Sequence, residues 1–271
     1  MKQTRLMMGM PISVEIVDAG ATSEVFDKVF GYFESVDRRF STYREDSEIS
    51  RFNRGEITRE DFSPDMREVF VLSEKTKRQT DGYFDIYRQG LWDPSGLVKG
   101  WAIYKASQLV RGWGFQDFYV DAGGDIQAFG HNAAGHEWRV GIRNPFRQDQ
   151  IVKVIHLSGA GIATSGTYVR GNHIYDPHSS GPLGDDLVSL TVIGPNVYEA
   201  DRFATAAFAM GRKGISFIEG LKGFEGYAID KAGLATFTSG FEAWVIQEHH
   251  DTNRGVARAG HPAWHFSPNR S

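Results

Sequence analysis

Residues 118–129 of the chain read FYVDAGGDIQAF, and this stretch decides how the fold is built. Apolar and polar residues largely alternate on both sides of Gly123-Gly124, which indicates two β-strands. The turn between them, residues 121–125, favours a β-hairpin, with close approach of a ligand to the backbone as the alternative. The segments WRVGIRNP, IVKVIHL and SLTVIG continue the period of two, so this half of the chain is rich in strands.

Upstream of this stretch the apolar residues follow helical spacing. Helices are predicted from an N-cap at Ser23 to residue 37, from an N-cap at Ser63 until Asp81-Gly82, and over residues 99–111. Further elements are a strand over 12–16, a polar loop over 41–55, helices over 200–210 and 215–221, and strands around 227–229 and 243–246. Strands and helices alternate only in part, so we predict an α+β fold with mixed sheets packed against helices.

The composition is that of a globular protein without thiol chemistry. The chain has 271 residues, of which 41% are hydrophobic and 24% are charged, and it can bury a sizeable core. It contains no Cys, which excludes disulfides, thiolate metal sites, iron–sulfur clusters and cysteine nucleophiles. Its net charge of -4 gives no general attraction for nucleic acid or anionic membranes.

The common signatures of nucleotide-dependent and hydrolytic enzymes are missing from the sequence. There is no GxxxxGK[ST] loop, no complete GxGxxG, no HExxH and no GxSxG elbow. These absences argue against P-loop nucleotidases, Rossmann dehydrogenases, zincins and α/β-hydrolases. What remains is a set of short glycine-rich and acidic clusters.

The first cluster, DPSGLVKGWA at residues 93–102, leads a glycine-containing loop into a helix with Lys99 at its mouth. Free backbone N–H groups and the helix dipole make such a start a phosphate cradle, although an ordinary capped helix explains the residues equally well. The second cluster places Asp201 and Thr205 four residues apart, on one face of a helix. Their oxygens suit Mg²⁺, whereas in the alternative Asp201 only complements the dipole of the first turn.

A third cluster joins ATSGTY at residues 163–168 to HIYDP at residues 173–177. Small hydroxyl residues after a strand can face a ligand. His173 lies in a polar stretch beside Asp176 and can act as a general base, while a structural histidine is the alternative.

Taken together and in this order, these clusters are similar to the FAD:protein FMN transferase family, also called the ApbE flavin transferases. The resemblance runs from Met8-Gly9 to about Val245, and its other segments are FSTY at 40–43, SEIS at 47–50 and TDGYFD at 80–85. The chain departs from the family's pattern at HSSG, residues 178–181, where the family tends to have Arg-Thr-Gly. The resemblance implies an ApbE-like, T-fold-related architecture.

The resemblance also implies an enzyme that binds FAD and Mg²⁺ and splits the pyrophosphate of FAD. FMN would be joined through its phosphate to a Thr or Ser hydroxyl of an acceptor protein, and AMP would leave. The metal would neutralise charge that develops on the diphosphate. The alternatives are an FAD diphosphatase that forms FMN and AMP, and an FAD-binding protein without turnover.

Residue roles follow from the same resemblance. The implied metal ligands are Asp201, Thr205 and the carbonyl of Gly96. The implied catalytic residues are Asp201 and His173, the latter as the base for the acceptor hydroxyl. Implied FAD contacts are Met8 and Tyr43 against the flavin ring, together with Gly82, Tyr83, Phe84, Asp93, Lys99 and Ile174.

A single flavin transferase domain is expected over residues 1–248, with two subdomains around an FAD cleft as the alternative, followed by a polar tail over 249–271. The N-terminus shows no signal-peptide core, and no Cys is present to carry a lipid. We therefore expect a cytoplasmic protein without a membrane anchor, or an exported one if a leader has been removed. The expected partners are FAD and an acceptor flavoprotein, not nucleic acid.

Overall fold

The computed structural model describes residues 1–147, 149–167, 177–178 and 187–246. An antiparallel sheet of eight strands forms its centre, in the order β1-β2-β5-β6-β9-β10-β11-β12, and β3-β4 and β7-β8 form two separate hairpins. The strands are β1 Lys2–Met7, β2 Met10–Ile16, β3 Tyr87–Arg88, β4 Leu91–Trp92, β5 Phe118–Ala122, β6 Asp125–Phe129, β7 Trp138–Arg143, β8 Ile151–Leu157, β9 Gly161–Gly166, β10 Leu187–Gly194, β11 Glu225–Asp230 and β12 Ala235–Phe237.

Helices cover this sheet, and the α+β prediction is confirmed. They are α1 Ser23–Phe40, α2 Glu48–Asn53, α3 Pro64–Gln79, α4 Ser95–Gly112, α5 Val197–Ala209 and α6 Gly214–Glu219. Short 3₁₀ helices lie at Arg59–Asp61, Gly211–Lys213 and Phe241–Trp244. None of the helices in the described part of the chain is long and apolar enough to span a membrane.

Two of the predicted signals act as expected. The Ser63 side chain caps α3 by accepting a hydrogen bond from the Met66 N–H at 3.3 Å. Residues 121–125 form the predicted hairpin turn, in which Gly123 and Gly124 have φ of 64° and 101°. Both torsions lie in the left-handed region, where glycine carries no Cβ penalty.

Several predicted boundaries are wrong, for local reasons. Thr22, not Ser23, precedes α1 as the N-cap residue. The polar loop over 41–55 contains α2, because the Ser47 side chain accepts from the Ser50 N–H at 3.2 Å and starts a helix there. Helix α4 begins at Ser95, four residues early, since the Asp93 carboxylate accepts from the Ser95 N–H at 3.0 Å. Of the strand expected around 243–246, the first two residues end a 3₁₀ helix, and only Val245 pairs with β8, through a bridge to Ile155.

Five of the described strands were not predicted: β1, the short β3 and β4, β9 and β12. The most consequential is β9, whose small residues GIATSG pair with β6 on one side and β10 on the other. Its residues are small because a helix packs closely on them. The residues expected to follow a strand and face a ligand therefore form a central strand of the sheet.

The sheet has two halves, which meet at the short pairing of β6 with β9. Helices α1, α3 and α4 bury the core of the first half, with Trp101 and Phe30 nearly inaccessible. Helix α5 buries the core of the second half through its alanines and Phe203. Buried Gln127 joins the halves, because its amide donates to the Ala160 carbonyl at 2.9 Å and accepts from the Val197 N–H at 2.8 Å. Helices α4 and α5 thus meet at the centre of the molecule.

The predicted domain extent, residues 1–248, stays a prediction. The predicted tail over 249–271 lies outside the described residues.

Candidate active site

Helices α4 and α5 touch at Gly100, and this contact places Asp201. A Cβ atom at residue 100 would lie 2.5 Å from the Asp201 Cβ and 2.8 Å from the Val197 carbonyl oxygen, so only glycine fits. The Gly100 N–H donates to Asp201 Oδ2 at 2.7 Å. A backbone group of α4 therefore holds the carboxylate of α5 in one orientation. Asp201 lies in the second turn of α5, so complementing the first-turn dipole does not explain it.

One turn further along α5, Thr205 faces the first turn of α4. Its hydroxyl donates to the Gly96 carbonyl at 3.2 Å, and the Ser165 hydroxyl of β9 lies 3.5 Å from it. The structure thus places Thr205 against Gly96 and, one helical turn away, Asp201 against Gly100.

The oxygens of this group suit a magnesium ion. Mg²⁺ binds hard oxygen ligands at about 2.1 Å in octahedral geometry, so adjacent ligands lie about 3 Å apart. The 3.2 Å between Thr205 Oγ1 and Gly96 O matches that separation. Within the described residues no three His, Asp or Glu side chains form a metal cluster. A site with one carboxylate, one hydroxyl and one carbonyl needs no such cluster, since substrate phosphate and water complete the shell.

Lys99 faces two buried carboxylates in this site. Its ammonium forms an ion pair with Asp125, and it lies 3.5 Å from Asp201 Oδ1. The side chains of Asp125 and Asp201 are only 3% and 4% exposed. Among the roles that Lys99 could have, contact with neighbouring carboxylates is therefore the one seen here.

Asp125 was not among the predicted site residues. Its pattern, DAGGD, indicates a hairpin turn, and nothing local shows that the carboxylate turns inward. In the fold, Asp125 Oδ1 accepts from the Thr164 N–H of β9 at 3.0 Å, while its other oxygen faces Lys99. Its only local signal was an acidic residue directly after a Gly-Gly pair.

Arg202, next to Asp201, was also missed. Its side chain is buried and donates to Glu199 Oε2 at 2.8 Å and to Gln79 Oε1 at 2.7 Å. These contacts tie α5 to the end of α3. Arg202 therefore fixes the helix that carries Asp201.

Burial governs the charge of Asp201. Removal from water raises the pKa of its carboxyl group to about 7, the Lys99 ammonium opposes this shift, and the nearby Asp125 carboxylate adds to it. A divalent cation bound there would favour the ionised form. The site is thus built to hold more positive charge than Lys99 alone provides.

Asp121, at the start of the same hairpin turn, has a pH-dependent effect on stability. Burial raises the pKa of its carboxyl group to about 6. The Asp125 carboxylate adds to this rise, whereas the hydrogen bond from the Gly124 N–H and the charges of Arg143 and Lys2 oppose it. Since the folded-state pKa exceeds the unfolded one, the stabilisation is complete below the unfolded pKa and is lost as pH rises through about 6. Asp121→Asn removes this loss. Its free energy of unfolding, relative to that of the wild type, should therefore rise by about 1–2 kcal/mol from pH 5 to pH 8. Urea unfolding at both pH values measures this gain, and an equal difference at both would contradict it.

The loop after α3 carries three predicted FAD contacts, and one of them, Phe84, lies against Gly96. Phe84 is buried, and its ring lies 3.3 Å from where a Cβ of Gly96 would be. The Thr80 hydroxyl holds the loop by accepting from the Phe84 N–H at 3.2 Å. Phe84 therefore borders Gly96, Gly82 and Tyr83 precede it in the same loop, and Asp93 lies just before α4.

Met8 and Tyr43 lie at the edges of the described structure. Met8 is half-buried in the β1–β2 turn, where its φ of 51° is left-handed. Tyr43 is 98% exposed, so its ring is available to a ligand. His173 and Ile174 lie outside the described residues.

His178, where the chain departs from the family's pattern, contacts the loop after α3. Its Nε2 lies 2.8 Å from the Asp81 carbonyl oxygen, and the imidazole therefore donates in this bond. Its ring meets the Tyr83 ring edge-on with centroids 4.5 Å apart. His178 thus ties a segment near His173 in sequence to the predicted FAD contacts.

Comparison with known proteins decides the family. The model of the ApbE family matches residues 8–94 and 91–228, most of the chain. The chain belongs to the ApbE family. Its fold agrees with that of solved ApbE proteins: the flavin transferase ApbE from Vibrio cholerae aligns with a TM-score of 0.79 at 23% identity, covering 90% of this chain and 98% of that one. The ApbE protein from Thermotoga maritima aligns with a TM-score of 0.81 at 18% identity, covering 91% and 99%.

Curated ApbE relatives share an activity name. The FAD:protein FMN transferase of Escherichia coli K12 is 25% identical over 295 aligned positions, which cover 86% of this chain and 83% of that protein. The enzyme of the same name from Vibrio cholerae is 27% identical, covering 66% and 71%. The family and its fold, predicted from the ordered motifs, are confirmed.

Proposed function

We propose that this protein is an FAD:protein FMN transferase that uses Mg²⁺. The observation that carries the proposal is the group of Asp201, Thr205 and the Gly96 carbonyl, built where α4 meets α5 beside the Phe84 loop. Relatives with the transferase name, aligned over most of both chains, support it. The product is an acceptor protein that carries FMN, and AMP is released.

The reaction breaks the phosphoanhydride bond of FAD and forms a phosphoester bond to the acceptor. A Thr or Ser hydroxyl of the acceptor attacks the phosphorus of the FMN half of FAD, and the bond from that phosphorus to the bridging oxygen breaks. That oxygen leaves with AMP, and the hydroxyl proton passes to a base, for which we propose His173. Bound Mg²⁺ would neutralise charge developing on the diphosphate.

Residues of this chain hold and orient the reactants in the proposal. Asp201, Thr205 and the Gly96 carbonyl hold the metal, and the Gly100 N–H keeps Asp201 aimed at it. The Phe84 loop and Asp93 bound the FAD site, and Met8, Tyr43 and Ile174 complete it. Lys99 pairs with Asp125 and lies 3.5 Å from Asp201, so it sets the balance of charge beside the metal ligands.

The test is incubation of the purified protein with FAD, Mg²⁺ and an acceptor protein that carries a candidate Thr or Ser. We expect a fluorescent covalent FMN band, AMP in equal amount, and loss of both when EDTA removes the metal. Free FMN and AMP with every acceptor would instead identify an FAD diphosphatase. FAD binding without AMP would identify a carrier. Mass spectrometry of co-expressed candidates for added FMN would identify the acceptor.

His178 should affect FAD binding more than turnover. His178→Ala removes the hydrogen bond to the Asp81 carbonyl and frees the loop of Gly82 and Tyr83. One lost hydrogen bond corresponds to a rise of about 3- to 10-fold in KM for FAD, with kcat little changed. His178→Gln keeps a donor and should recover much of the loss. His136→Ala, at an exposed histidine, is the control, and an unchanged KM in His178→Ala would contradict the prediction.

The cytoplasmic location stays a prediction. Fractionation of cells that express the protein from its full natural gene, followed by blotting, measures it directly.

A further inference from the structure

We infer that Asp125 is a positioning residue: it holds the Lys99 ammonium away from Asp201 and so keeps the Asp201 carboxylate available to a divalent cation. The inference rests on the proposed function, because the metal site it concerns is the one proposed there.

The first observation is that Lys99 contacts two carboxylates at different distances. One ammonium faces two carboxylates, both almost completely buried, and it forms its close ion pair with Asp125. Asp201 Oδ1 lies farther away, at 3.5 Å. Lys99 therefore has its shorter contact with the residue that is not in the proposed metal group.

The remaining contacts of the two carboxylates show why Lys99 pairs with Asp125 and leaves Asp201 Oδ1 available. Asp125 Oδ1 accepts from the Thr164 N–H at 3.0 Å, which fixes the carboxylate to β9. Asp125 Oδ2 is buried, and no hydrogen bond to it is found within the described residues, so Lys99 is the group that compensates its charge. Asp201 Oδ2 is held by the Gly100 N–H, which leaves Oδ1 for a cation.

Removal of the Asp125 charge should redirect the ammonium. A lysine side chain is flexible and its amine keeps seeking a counterion when it is buried. Asp201 is the buried carboxylate that remains beside it. An ammonium paired with Asp201 Oδ1 would occupy a ligand position of the metal. Lys99 would then compete with the divalent cation for Asp201.

The test is a titration of Mn²⁺, as a probe for Mg²⁺, into the full-length protein without FAD, read by the electron paramagnetic resonance signal of free Mn²⁺. Asp125→Asn should bind Mn²⁺ about 10- to 100-fold more weakly than the wild type, as is usual for residues that orient metal ligands. Asparagine still accepts from the Thr164 N–H, so the backbone contact is retained. Asp121→Asn, a charge removed from the same hairpin, should change the affinity less than about 3-fold.

Lys99→Met distinguishes competition from a general loss of negative charge. We expect it to raise Mn²⁺ affinity in both backgrounds, because a positive charge beside Asp201 is lost, and by a factor about 10-fold or more larger in the Asp125→Asn background. The same factor in both backgrounds would overturn the inference, as would an unweakened Asp125→Asn. If Asp125→Asn does not fold, the comparison of Lys99→Met with the double variant still decides the inference. It measures what the Asp125 charge contributes to Mn²⁺ affinity when no ammonium is present.

Failure of the inference is separable from failure of the proposed function. FMN transfer is assayed on the same wild-type preparation. A wild type that transfers FMN but binds no Mn²⁺ overturns the inference and leaves the transferase activity standing. A wild type that binds Mn²⁺ with the expected variant pattern but transfers no FMN supports the inference and rejects the activity.

Discussion

Asp201→Asn is expected to lower FMN transfer at least about 100-fold while the protein stays folded. Asparagine has nearly the shape of aspartate and still accepts the hydrogen bond from the Gly100 N–H. It lacks the negative charge that would hold the metal against the diphosphate. The initial rate of FMN incorporation, measured by in-gel fluorescence over a range of Mg²⁺ concentrations, tests this.

Stability should change in the opposite direction to activity. Because burial raises the pKa of Asp201 to about 7, the folded protein pays a cost to keep this carboxylate charged at neutral pH. The neutral amide removes that cost, so the melting temperature of Asp201→Asn should equal or exceed that of the wild type. A variant that transfers FMN within about 3-fold of the wild type would remove Asp201 from the metal site.

Thr205 offers a matched comparison at the second side-chain ligand. Thr205→Ser keeps the hydroxyl that lies 3.2 Å from the Gly96 carbonyl, whereas Thr205→Val keeps the shape without the oxygen. Serine should retain most of the transfer, and valine should lose about 10-fold or more. Equal losses in both would indicate that the methyl packing of Thr205, not its oxygen, matters.

Gly161→Ala is expected to destabilise the protein by about 3 kcal/mol. A Cβ at residue 161 would lie 1.9 Å from the Val197 backbone nitrogen and 2.4 Å from its Cα. These are backbone atoms at the start of α5, so neither can turn aside as a flexible side chain would. Helix α5 would have to move away from β9, which breaks the hydrogen bond from the Val197 N–H to Gln127.

Gly31→Ala is the control for this substitution. Gly31 lies on the exposed side of α1, and a Cβ there would meet nothing within 4 Å. Alanine in a helix interior is favoured over glycine by about 0.5–1 kcal/mol, so this variant should be slightly more stable. Urea unfolding of both variants measures the difference. A Gly161→Ala protein as stable as the wild type would show that α5 is not held against β9 as described.

Most of the fold could be predicted because its elements carry local signals. The period of two in β5 and β6, the Ser63 cap of α3 and the apolar face of α1 depend on residues within a few positions of one another. β9 could not be predicted in this way. Its small residues are set by α5 lying against Gly161, and such a contact leaves no period in the sequence.

The candidate site likewise contains residues that local signals predict and residues that only tertiary contacts place. The residue pair Asp201 and Thr205 was predictable, because a spacing of four on a helix places both side chains on one face. Asp125 was not, since its local surroundings describe only a hairpin turn. Its partners, Lys99 and Thr164, come from a different helix and a different strand.

The ordered motifs of the chain were sufficient to predict its family and its α+β class, both confirmed, and to propose which side chains would offer oxygen to a metal. They were sufficient because residue type and short spacing determine what a segment can form and what it can bind. Only the tertiary structure decided which carboxylate Lys99 pairs with, and that Gly100, 101 positions before Asp201, orients it. Such contacts arise when α4, α5 and β6 pack together, and packing depends on shape and burial over the whole chain.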